Sequence, residues 1–281
     1  MPKASKGAIF VGAGDSYAAA LAGFYGSKGR CKALDPYALR SAPEASRGLD
    51  VFFISVSGRT SSNVAAAGAV AGLAKRTVAI TAVASSPLAA KCDEVLALPM
   101  KYAPRSVGLG SFSLSLLAVM SAVGATGKCD FESAYASALE DHLEMSSGSG
   151  TTYLLGNSLA YPAALYAAAK TYEILGKKAH AELLEEFSHL ELFALGKSDV
   201  VNLFSSFDPS GLGPRLGAAL DGEGYRVNVV PSQGASDLER LFHDVFVGQL
   251  STLKVAAERG LDRPRFLSDL GRLGASDSMI Y

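Results

Sequence analysis

The sequence predicts an α/β protein made of two similar subdomains, each a doubly wound parallel sheet flanked by helices. Short continuous apolar runs alternate with longer alanine-rich runs, which is typical of parallel strands whose two faces are covered by helices. The same order of elements recurs after residue 150, and a repeated unit favours two subdomains over one large sheet. We place the first subdomain at residues 1–127, a connecting helix and linker at 128–150, and the second subdomain at 151–281.

In the first half, short strands and longer helices are expected to follow one another. The strands are expected at Ala8–Gly12, Cys31–Leu34, Val51–Ser55, Thr77–Thr81 and Val95–Pro99. The helices are expected at Ser16–Gly29, Ser62–Arg76, Pro87–Lys91 and Ser111–Val123. A helix over Asp130–Met145 and the flexible stretch Ser-Ser-Gly-Ser-Gly then connect the two halves.

The second half repeats this order of elements. The strands are expected at Tyr153–Gly156, Asp199–Ser205 and Tyr225–Pro231. The helices are expected at Ser158–Gly176, Gly211–Glu223 and Ala235–Arg259. The two halves also share local patterns, because AIFVGAGDS parallels TYLLGNS and VFFISVSGRT parallels DVVNLFSSFD.

The composition indicates a soluble globular protein and excludes several classes of partner. The chain has 281 residues, of which 49% are hydrophobic, so it is able to bury a large core and is not disordered. Its 26 basic and 27 acidic residues leave a net charge of −1, which offers no basic field for nucleic acid. The longest apolar stretch, Val64–Ala74, is too short to cross a membrane.

The start of the chain and the cysteines indicate a reducing compartment. Residues 1–8 lack the apolar stretch of a secretory signal. Cys31, Cys92 and Cys129 are widely scattered and lack CxxC spacing, which argues against both a disulfide framework and a zinc site. We therefore expect a cytoplasmic protein that uses no metal or cofactor and binds neither nucleic acid nor membranes.

Two loops between a strand and a helix carry the chemistry of the first half. The loop from Gly12 to Ser16 lacks the third glycine of a dinucleotide site, because Tyr17 stands there, and no Gly-Lys-Ser/Thr follows as in a nucleotide-binding P-loop. The second loop, Ser55–Thr60, places three hydroxyl groups around one glycine at the end of a strand. Ligands bind outside the carboxyl ends of parallel strands, so the two loops predict a phosphate site built from hydroxyl and backbone donors.

These loops resemble those of the SIS (sugar isomerase) domain family. VGAGDSYAA is similar to the first loop of the family, and FISVSGRTSSN is similar to its Ser-x-Ser-Gly-x-Thr phosphosugar loop. The layout resembles the two SIS subdomains of the isomerase domain of glucosamine-6-phosphate synthase and of the archaeal phosphoglucose/phosphomannose isomerases. The resemblance implies that the substrate phosphate is held by four hydroxyl residues and that two further residues line the pocket. The four are Ser16, Ser55, Ser57 and Thr60, and the two are Asp15 and Val56.

The resemblance extends to a glutamate and a histidine in the second half. Glu173 and His189 are separated by 189 − 173 = 16 residues, the spacing of the catalytic glutamate and ring-opening histidine in family isomerases. The context Glu186-Phe187-Ser188-His189 matches the family, although Leu190 replaces its glycine. In related proteins this histidine often reaches the site of a neighbouring subunit, which implies a homodimer. The other histidines, His142, His180 and His243, have no motif around them and are interpreted as surface or packing residues.

The chemistry of aldose–ketose isomerisation gives these residues distinct roles. The reaction shifts a proton between adjacent carbons through a cis-enediol, and Glu173 is the candidate base. His189 suits proton transfer at the ring oxygen near neutral pH, and Arg105, which resembles an arginine of the archaeal isomerases, is the candidate cation for the enediolate. We expect a metal-independent isomerase of a hexose phosphate, either glucose-6-phosphate/fructose-6-phosphate or its mannose or amino-sugar equivalent.

One departure from the family keeps alternatives open. The stretch RGLDRPRFLSDLGRL resembles a family tail in which a lysine assists ring opening, but Asp269 stands at the aligned position. Either Arg265 or Arg272 substitutes for the lysine, or His189 acts alone, or the protein no longer isomerises. The alternatives are a non-catalytic phosphosugar-binding module and an amino-sugar phosphate deaminase or deglycase.

Overall fold

The computed structural model describes residues 2–281 and divides into two compact units. The first unit comprises the residues up to Thr126 together with Gly271–Tyr281, and the second comprises Gly127–Leu270. The break between residues 126 and 127 lies close to the boundary predicted after residue 127. The last residues, 271–281, belong to the first unit and not to the second, where the sequence analysis placed them.

The first unit is built on a five-stranded parallel sheet with the order β2-β1-β3-β4-β5. Its strands are β1 (Ile9–Val11), β2 (Lys32–Leu34), β3 (Asp50–Ile54), β4 (Arg76–Thr81) and β5 (Glu94–Ala97). Its first four helices are α1 (Asp15–Gly26), α2 (Pro36–Ser41), α3 (Ser61–Ala69) and α4 (Leu109–Ala122). The strand order changes direction between β1 and β3, and ligands of open α/β sheets bind at such a point.

Both faces of the first sheet are covered, which explains the continuous apolar character of its central strands. On one face, Ile9 and Val51 belong to a core cluster with Leu39 of α2 and Ala66 of α3. On the other face, the rings of Phe10 and Phe52 stack with their centroids 4.9 Å apart. Gly23 of α1 and Val119 of α4 lie close to this second face. The sheet is therefore doubly wound, as predicted.

The second unit is built on a four-stranded parallel sheet with the order β7-β6-β8-β9. Its strands are β6 (Thr152–Leu155), β7 (Ala179–Glu182), β8 (Val200–Phe204) and β9 (Val227–Val230). Its helices are α5 (Phe131–Glu140), α6 (Ala160–Lys170), α7 (Leu184–His189), α8 (Leu212–Gly222) and α9 (Asp237–Glu258). This strand order matches the first four strands of the other sheet, so the internal repeat predicted from the sequence is confirmed in the topology. The last helix of the chain is α10 (Leu270–Ile280).

Several elements differ from the predicted ones. The strand β7 and the short helices α2 and α7 were not predicted. The helix expected at Pro87–Lys91 is a 3₁₀ turn at Ala89–Lys91, and the helix expected to run to Gly176 changes after Lys170 into a π-helical turn, Thr171–Leu175. Along residues 2–281, we find no helix that combines the length and the apolar character of a membrane span.

A buried polar network anchors α9 in the second unit. The imidazole of His243 is fully buried; its Nδ1 lies 3.1 Å from Asp244 Oδ1 and its Nε2 lies 2.9 Å from Asp141 Oδ2. Ser206 donates a hydrogen bond of 3.1 Å to the same Asp244 oxygen. Burial opposes the charge of His243, but the two carboxylates outweigh it and raise the pKa of His243. Burial also raises the pKa of Asp244. Both groups therefore hold protons more tightly in the folded state.

We expect the free energy of unfolding to fall as the pH rises above about 6.5, the pKa of histidine in an unfolded chain. The folded pKa of His243 is raised, so its stabilising contribution is complete below the unfolded pKa and is lost as the pH rises through the folded pKa. Urea unfolding across a pH series measures this slope. The His243→Gln variant should flatten it, whereas the exposed His142→Gln should not; equal slopes for His243→Gln and wild type would contradict the assignment.

Candidate functional site

The two loops singled out in the sequence leave neighbouring strands at the point where the strand order changes direction. The loop Gly12–Gly14 joins β1 to α1, and the loop Ser55–Thr60 joins β3 to α3. Strands β1 and β3 are paired in parallel, with Val11 beside Phe53, so both loops lie at the same edge of the sheet. The structure therefore brings the two predicted loops together within the first unit.

The hydroxyl groups of the Ser55–Thr60 loop converge on its own backbone. Ser55 Oγ accepts a hydrogen bond of 3.1 Å from the backbone N–H of Gly58 and lies 3.2 Å from Thr60 Oγ1. Ser57 Oγ accepts a hydrogen bond of 3.2 Å from the backbone N–H of Arg59. Ser55 and Ser57 are buried, and Thr60 is half-buried. Ser55 and Thr60 use one of their two hydroxyl protons between them, so the other proton and that of Ser57 are not used in these bonds and can be donated to an anion.

The helix that follows this loop adds backbone donors. Thr60 is the N-cap of α3, and its side chain makes no hydrogen bond to the first turn. The first N–H groups of a helix point along its axis and carry partial positive charge, so they favour a bound anion. Helix α1 likewise has no capping side chain, but Asp15 places a negative charge in its first turn. The charge distribution therefore favours α3 over α1 as the phosphate end of the site, with Asp15 and Ser16 half-buried beside it.

The loop after β4 holds the Ser55–Thr60 loop in place. The backbone carbonyl of Val56 accepts bonds of 3.0 Å from the N–H of Ala82 and 3.1 Å from Thr81 Oγ1. The carbonyl of Gly58 accepts a bond of 3.0 Å from the N–H of Leu88. Val56, predicted to line the pocket, thus also anchors the loop through its backbone.

Gly58 is required at the centre of this loop. Its φ of +61° lies in the left-handed region, and a Cβ there would stand 2.0 Å from Ser86 Oγ and 2.4 Å from Ser86 Cβ. Only glycine both adopts this backbone conformation without strain and leaves room for the side chain of Ser86. The single glycine in the hydroxyl-rich motif is therefore explained by close packing against the β4 loop.

Two further residues of this region were not predicted from the sequence. Burial raises the pKa of Tyr102, whose side chain lies close to that of Ser57. Asn63, in the first turn of α3, donates a bond of 3.0 Å to the carbonyl of Ile54, while its buried Oδ1 has no hydrogen-bond partner among residues 2–281. Tyr102 lies three residues before Arg105, and the sequence offers no signal that it lies close to Ser57.

Arg105 is exposed and pairs with the C-terminal helix. Its guanidinium lies 3.3 Å from the carboxylate of Asp277 on α10, and 59% of its side chain is exposed. The end of the same helix reaches α3, because Ser61 Oγ donates a bond of 3.0 Å to the carbonyl of Ile280. The role of Arg105 as a cation for the enediolate stays a prediction.

In the second unit, Glu173 lies in the π-helical turn that continues α6. Its carboxylate accepts a hydrogen bond from Lys170 Nζ, and this lysine is buried while the Glu173 side chain is partly exposed. The ammonium of Lys170 also lies 5.2 Å from the centre of the Tyr166 ring. A π-helical turn inside an α-helix often marks a functional site. Lys170 was not predicted as a partner of Glu173. Side chains three residues apart on a helix are neighbours, so the sequence could have indicated this pair.

His189 is the last residue of α7 and is largely exposed. Its side chain is 71% exposed, and its Nε2 lies 4.0 Å from a carboxylate oxygen of Glu185. Two large apolar residues that follow it, Leu190 and Phe193, are also exposed. The ring-opening role of His189 stays a prediction, as does its action in a neighbouring subunit.

In the second unit, the loop between β8 and α8 corresponds to the Ser55–Thr60 loop, but its polar groups make different hydrogen bonds. Ser205 Oγ donates to the carbonyl of Val230 at 2.8 Å, and Ser206 bonds Asp244. Asp208 accepts a bond of 2.7 Å from the N–H of Gly213 in the first turn of α8, so a carboxylate already occupies that helix N-terminus. The repeat therefore retains the topology, while the geometry suited to a phosphate belongs to the first unit.

Comparisons with known proteins agree with this topology. Residues 3–126 match the sequence model of the SIS domain family. These residues coincide with the first unit, apart from its C-terminal helix, so the first unit contains an SIS domain. A search of the curated proteins finds no match to this chain.

Solved structures share the fold over nearly the whole chain. Glucosamine-6-phosphate deaminase from Thermotoga maritima has a TM-score of 0.75 and 23% identity, over 93% of this chain and 89% of that one. Tagatose-6-phosphate ketose/aldose isomerase from Escherichia coli has a TM-score of 0.71 and 19% identity, over 92% and 83%. The C-terminal domain of glucosamine-fructose-6-phosphate aminotransferase from Francisella tularensis has a TM-score of 0.67 and 17% identity, over 92% and 87%. At these identities the likeness establishes the fold alone.

Proposed function

We propose that the protein is a sugar-phosphate isomerase that interconverts the aldose and ketose forms of a hexose phosphate. The Ser55–Thr60 loop is the observation that carries the proposal. Its hydroxyl groups, the first turn of α3 and the adjacent Arg59 supply the donors and the positive charge that a phosphate monoester needs, without a metal ion. Ser16 and Asp15 at the start of α1 supply the remaining polar groups of the proposed pocket.

We assign the proton transfer to Glu173. Its carboxylate removes the proton from C2 of the aldose, which leaves an enediolate, and returns a proton to C1 to form the ketose; a second proton moves between O1 and O2. The buried Lys170 supports this role, because its hydrogen bond holds the carboxylate in one orientation. In the proposal, His189 handles the proton of the ring oxygen and Arg105 stabilises the enediolate.

A homodimer is part of the proposal. The supporting observation is the exposure of Leu190 and Phe193 directly after His189, because large apolar side chains exposed together favour burial against another surface. A second copy of this chain is the proposed partner, and His189 would then serve the neighbouring subunit.

A second candidate function is the deamination of an amino-sugar phosphate. It is favoured by the structural likeness to a protein named glucosamine-6-phosphate deaminase, and by Asp269 at the position where the family tail carries a lysine. Deamination also begins with proton transfer at adjacent carbons, so Glu173 would serve both reactions.

The test is proton exchange in heavy water. Fructose 6-phosphate incubated with the protein should yield an aldose 6-phosphate with deuterium at C2, observed by NMR, and Ser57→Ala should raise the KM. Ser137→Ala, which changes a half-buried serine of α5 in the second unit, is the matched control. Release of ammonia from glucosamine 6-phosphate without exchange in fructose 6-phosphate would favour the deaminase. Binding of hexose phosphates without either reaction would leave only a phosphosugar-binding module.

A further inference from the structure

Three side chains with metal-binding atoms converge in the second unit, outside the residues of the proposed isomerase site. They are His180 and Glu182 of β7 and Glu191, which follows α7. His180 Nε2 lies 3.0 Å from Glu191 Oε1 and 3.8 Å from Glu182 Oε2. One ligand atom from each of the three residues lies within 4.8 Å of the others.

We propose that His180, Glu182 and Glu191 bind one divalent transition-metal ion. Zinc binds imidazole nitrogen and carboxylate oxygen at about 2.0–2.2 Å in tetrahedral geometry, which places neighbouring ligand atoms roughly 3–4 Å apart. The separations of 3.0 and 3.8 Å from His180 Nε2 lie in that range, and the two carboxylates lie within 4.8 Å of each other. One nitrogen with two carboxylate oxygens suits Zn²⁺ or a similar ion better than Mg²⁺, which prefers oxygen ligands alone.

The strand and its neighbours hold two of the ligands in place. Residues 180 and 182 are two positions apart along β7, so their side chains lie on the same face of the strand. The backbone N–H of Leu183 donates a hydrogen bond of 2.8 Å to Glu182 Oε1. The other carboxylate oxygen, Oε2, lies 3.8 Å from His180 Nε2. The ring of Tyr153 meets the imidazole edge to face, with 6.1 Å between centroids. The site is therefore preorganised on a rigid element.

A second observation at Glu191 supports a bound cation. Glu191 Oε2 is a buried atom and has no hydrogen-bond partner among residues 2–281. A buried carboxylate oxygen without a donor is costly, and a bound cation satisfies it. The side chains of His180, Glu182 and Glu191 are 43%, 22% and 23% exposed, so an ion can reach them from solvent.

The proposed metal fastens α7 to the sheet. Its ligands lie on both sides of the segment 183–190, which contains α7 and ends one residue after His189. A metal that joins β7 to Glu191 closes this segment into a short loop and limits its unfolding. The metal site does not depend on the proposed function, since it concerns binding and stability only.

Metal binding is tested on the full chain after treatment with EDTA. Titration calorimetry with ZnCl₂ should show one ion bound per chain, and Zn²⁺ should raise the Tm. Co²⁺ should produce the visible absorption bands of a four-coordinate site. His180→Gln and Glu191→Gln should each weaken Zn²⁺ binding at least about 100-fold, since each removes a direct ligand.

The matched control is the double variant Glu185→Gln/His189→Gln. It changes a nearby surface pair that offers only two ligand atoms, so Zn²⁺ affinity should be unchanged.

The cysteines Cys92 and Cys129 should compete only weakly for Zn²⁺. Burial raises the pKa of each thiol to about 11, so both are protonated at neutral pH. If Zn²⁺ fails to bind one to one, or binds Glu191→Gln as tightly as wild type, the cluster is an ion-pair network and the proposal is overturned. Glu191→Gln keeps the side-chain shape, so it covers the case in which His180→Gln does not fold.

Discussion

Glu173→Gln is expected to lower kcat for isomerisation about 10²–10⁴-fold, the usual contribution of a positioned general base. Glutamine keeps the shape of the side chain and an oxygen that can accept the bond from Lys170, but it cannot take a proton from carbon. Hexose-phosphate binding should persist, because the groups that hold the phosphate in our proposal belong to the first unit. Steady-state kinetics together with calorimetry of fructose 6-phosphate binding measure both quantities.

The same substitution is also expected to lower the Tm, because it leaves the buried ammonium of Lys170 beside a neutral side chain. The double variant Lys170→Met/Glu173→Gln removes that ammonium and should recover the Tm without recovering activity. This pair of variants separates loss of chemistry from loss of stability. Undiminished proton exchange in a folded Glu173→Gln protein would remove Glu173 from the mechanism.

Gly58→Ala is expected to disrupt the Ser55–Thr60 loop. Alanine at a φ of +61° costs about 1–2 kcal/mol, and a Cβ placed 2.0 Å from Ser86 Oγ adds about 1–3 kcal/mol of overpacking. The free energy of unfolding should therefore fall by about 2–5 kcal/mol, and hexose-phosphate binding should be lost because the hydroxyls of Ser55 and Ser57 are displaced. Urea unfolding and calorimetry measure the two effects.

Gly68→Ala provides the matched control in α3. Gly68 is exposed on the helix, and a Cβ there would meet no atom within 4 Å. Alanine should raise the free energy of unfolding by up to about 1 kcal/mol, because it favours the helix, and should leave binding unchanged. A Gly58→Ala protein that is as stable as wild type and still binds fructose 6-phosphate would show that the loop tolerates a side chain and is not the phosphate site.

Most of the strands were predictable because they are short apolar runs with both faces buried. Strand β7 was not, because Ala179–Glu182 alternates small apolar residues with His180 and Glu182 and lies at the edge of its sheet. The end of α6 was also missed, since nothing in the sequence separates the π-helical turn at Thr171–Leu175 from a continuing helix. In both cases hydrogen bonding and packing from other parts of the chain set the outcome.

Amino-acid order alone establishes the α/β class, the internal repeat and the two loops after β1 and β3, because each depends on residues close together in the chain. Contacts between distant residues decide the rest. Tyr102 meets Ser57, Ser86 closes over Gly58, and Glu191 joins His180 and Glu182 only after the sheets and helices have packed. Local pattern governs backbone conformation and burial, whereas the position of one side chain against another depends on the packing of the whole unit.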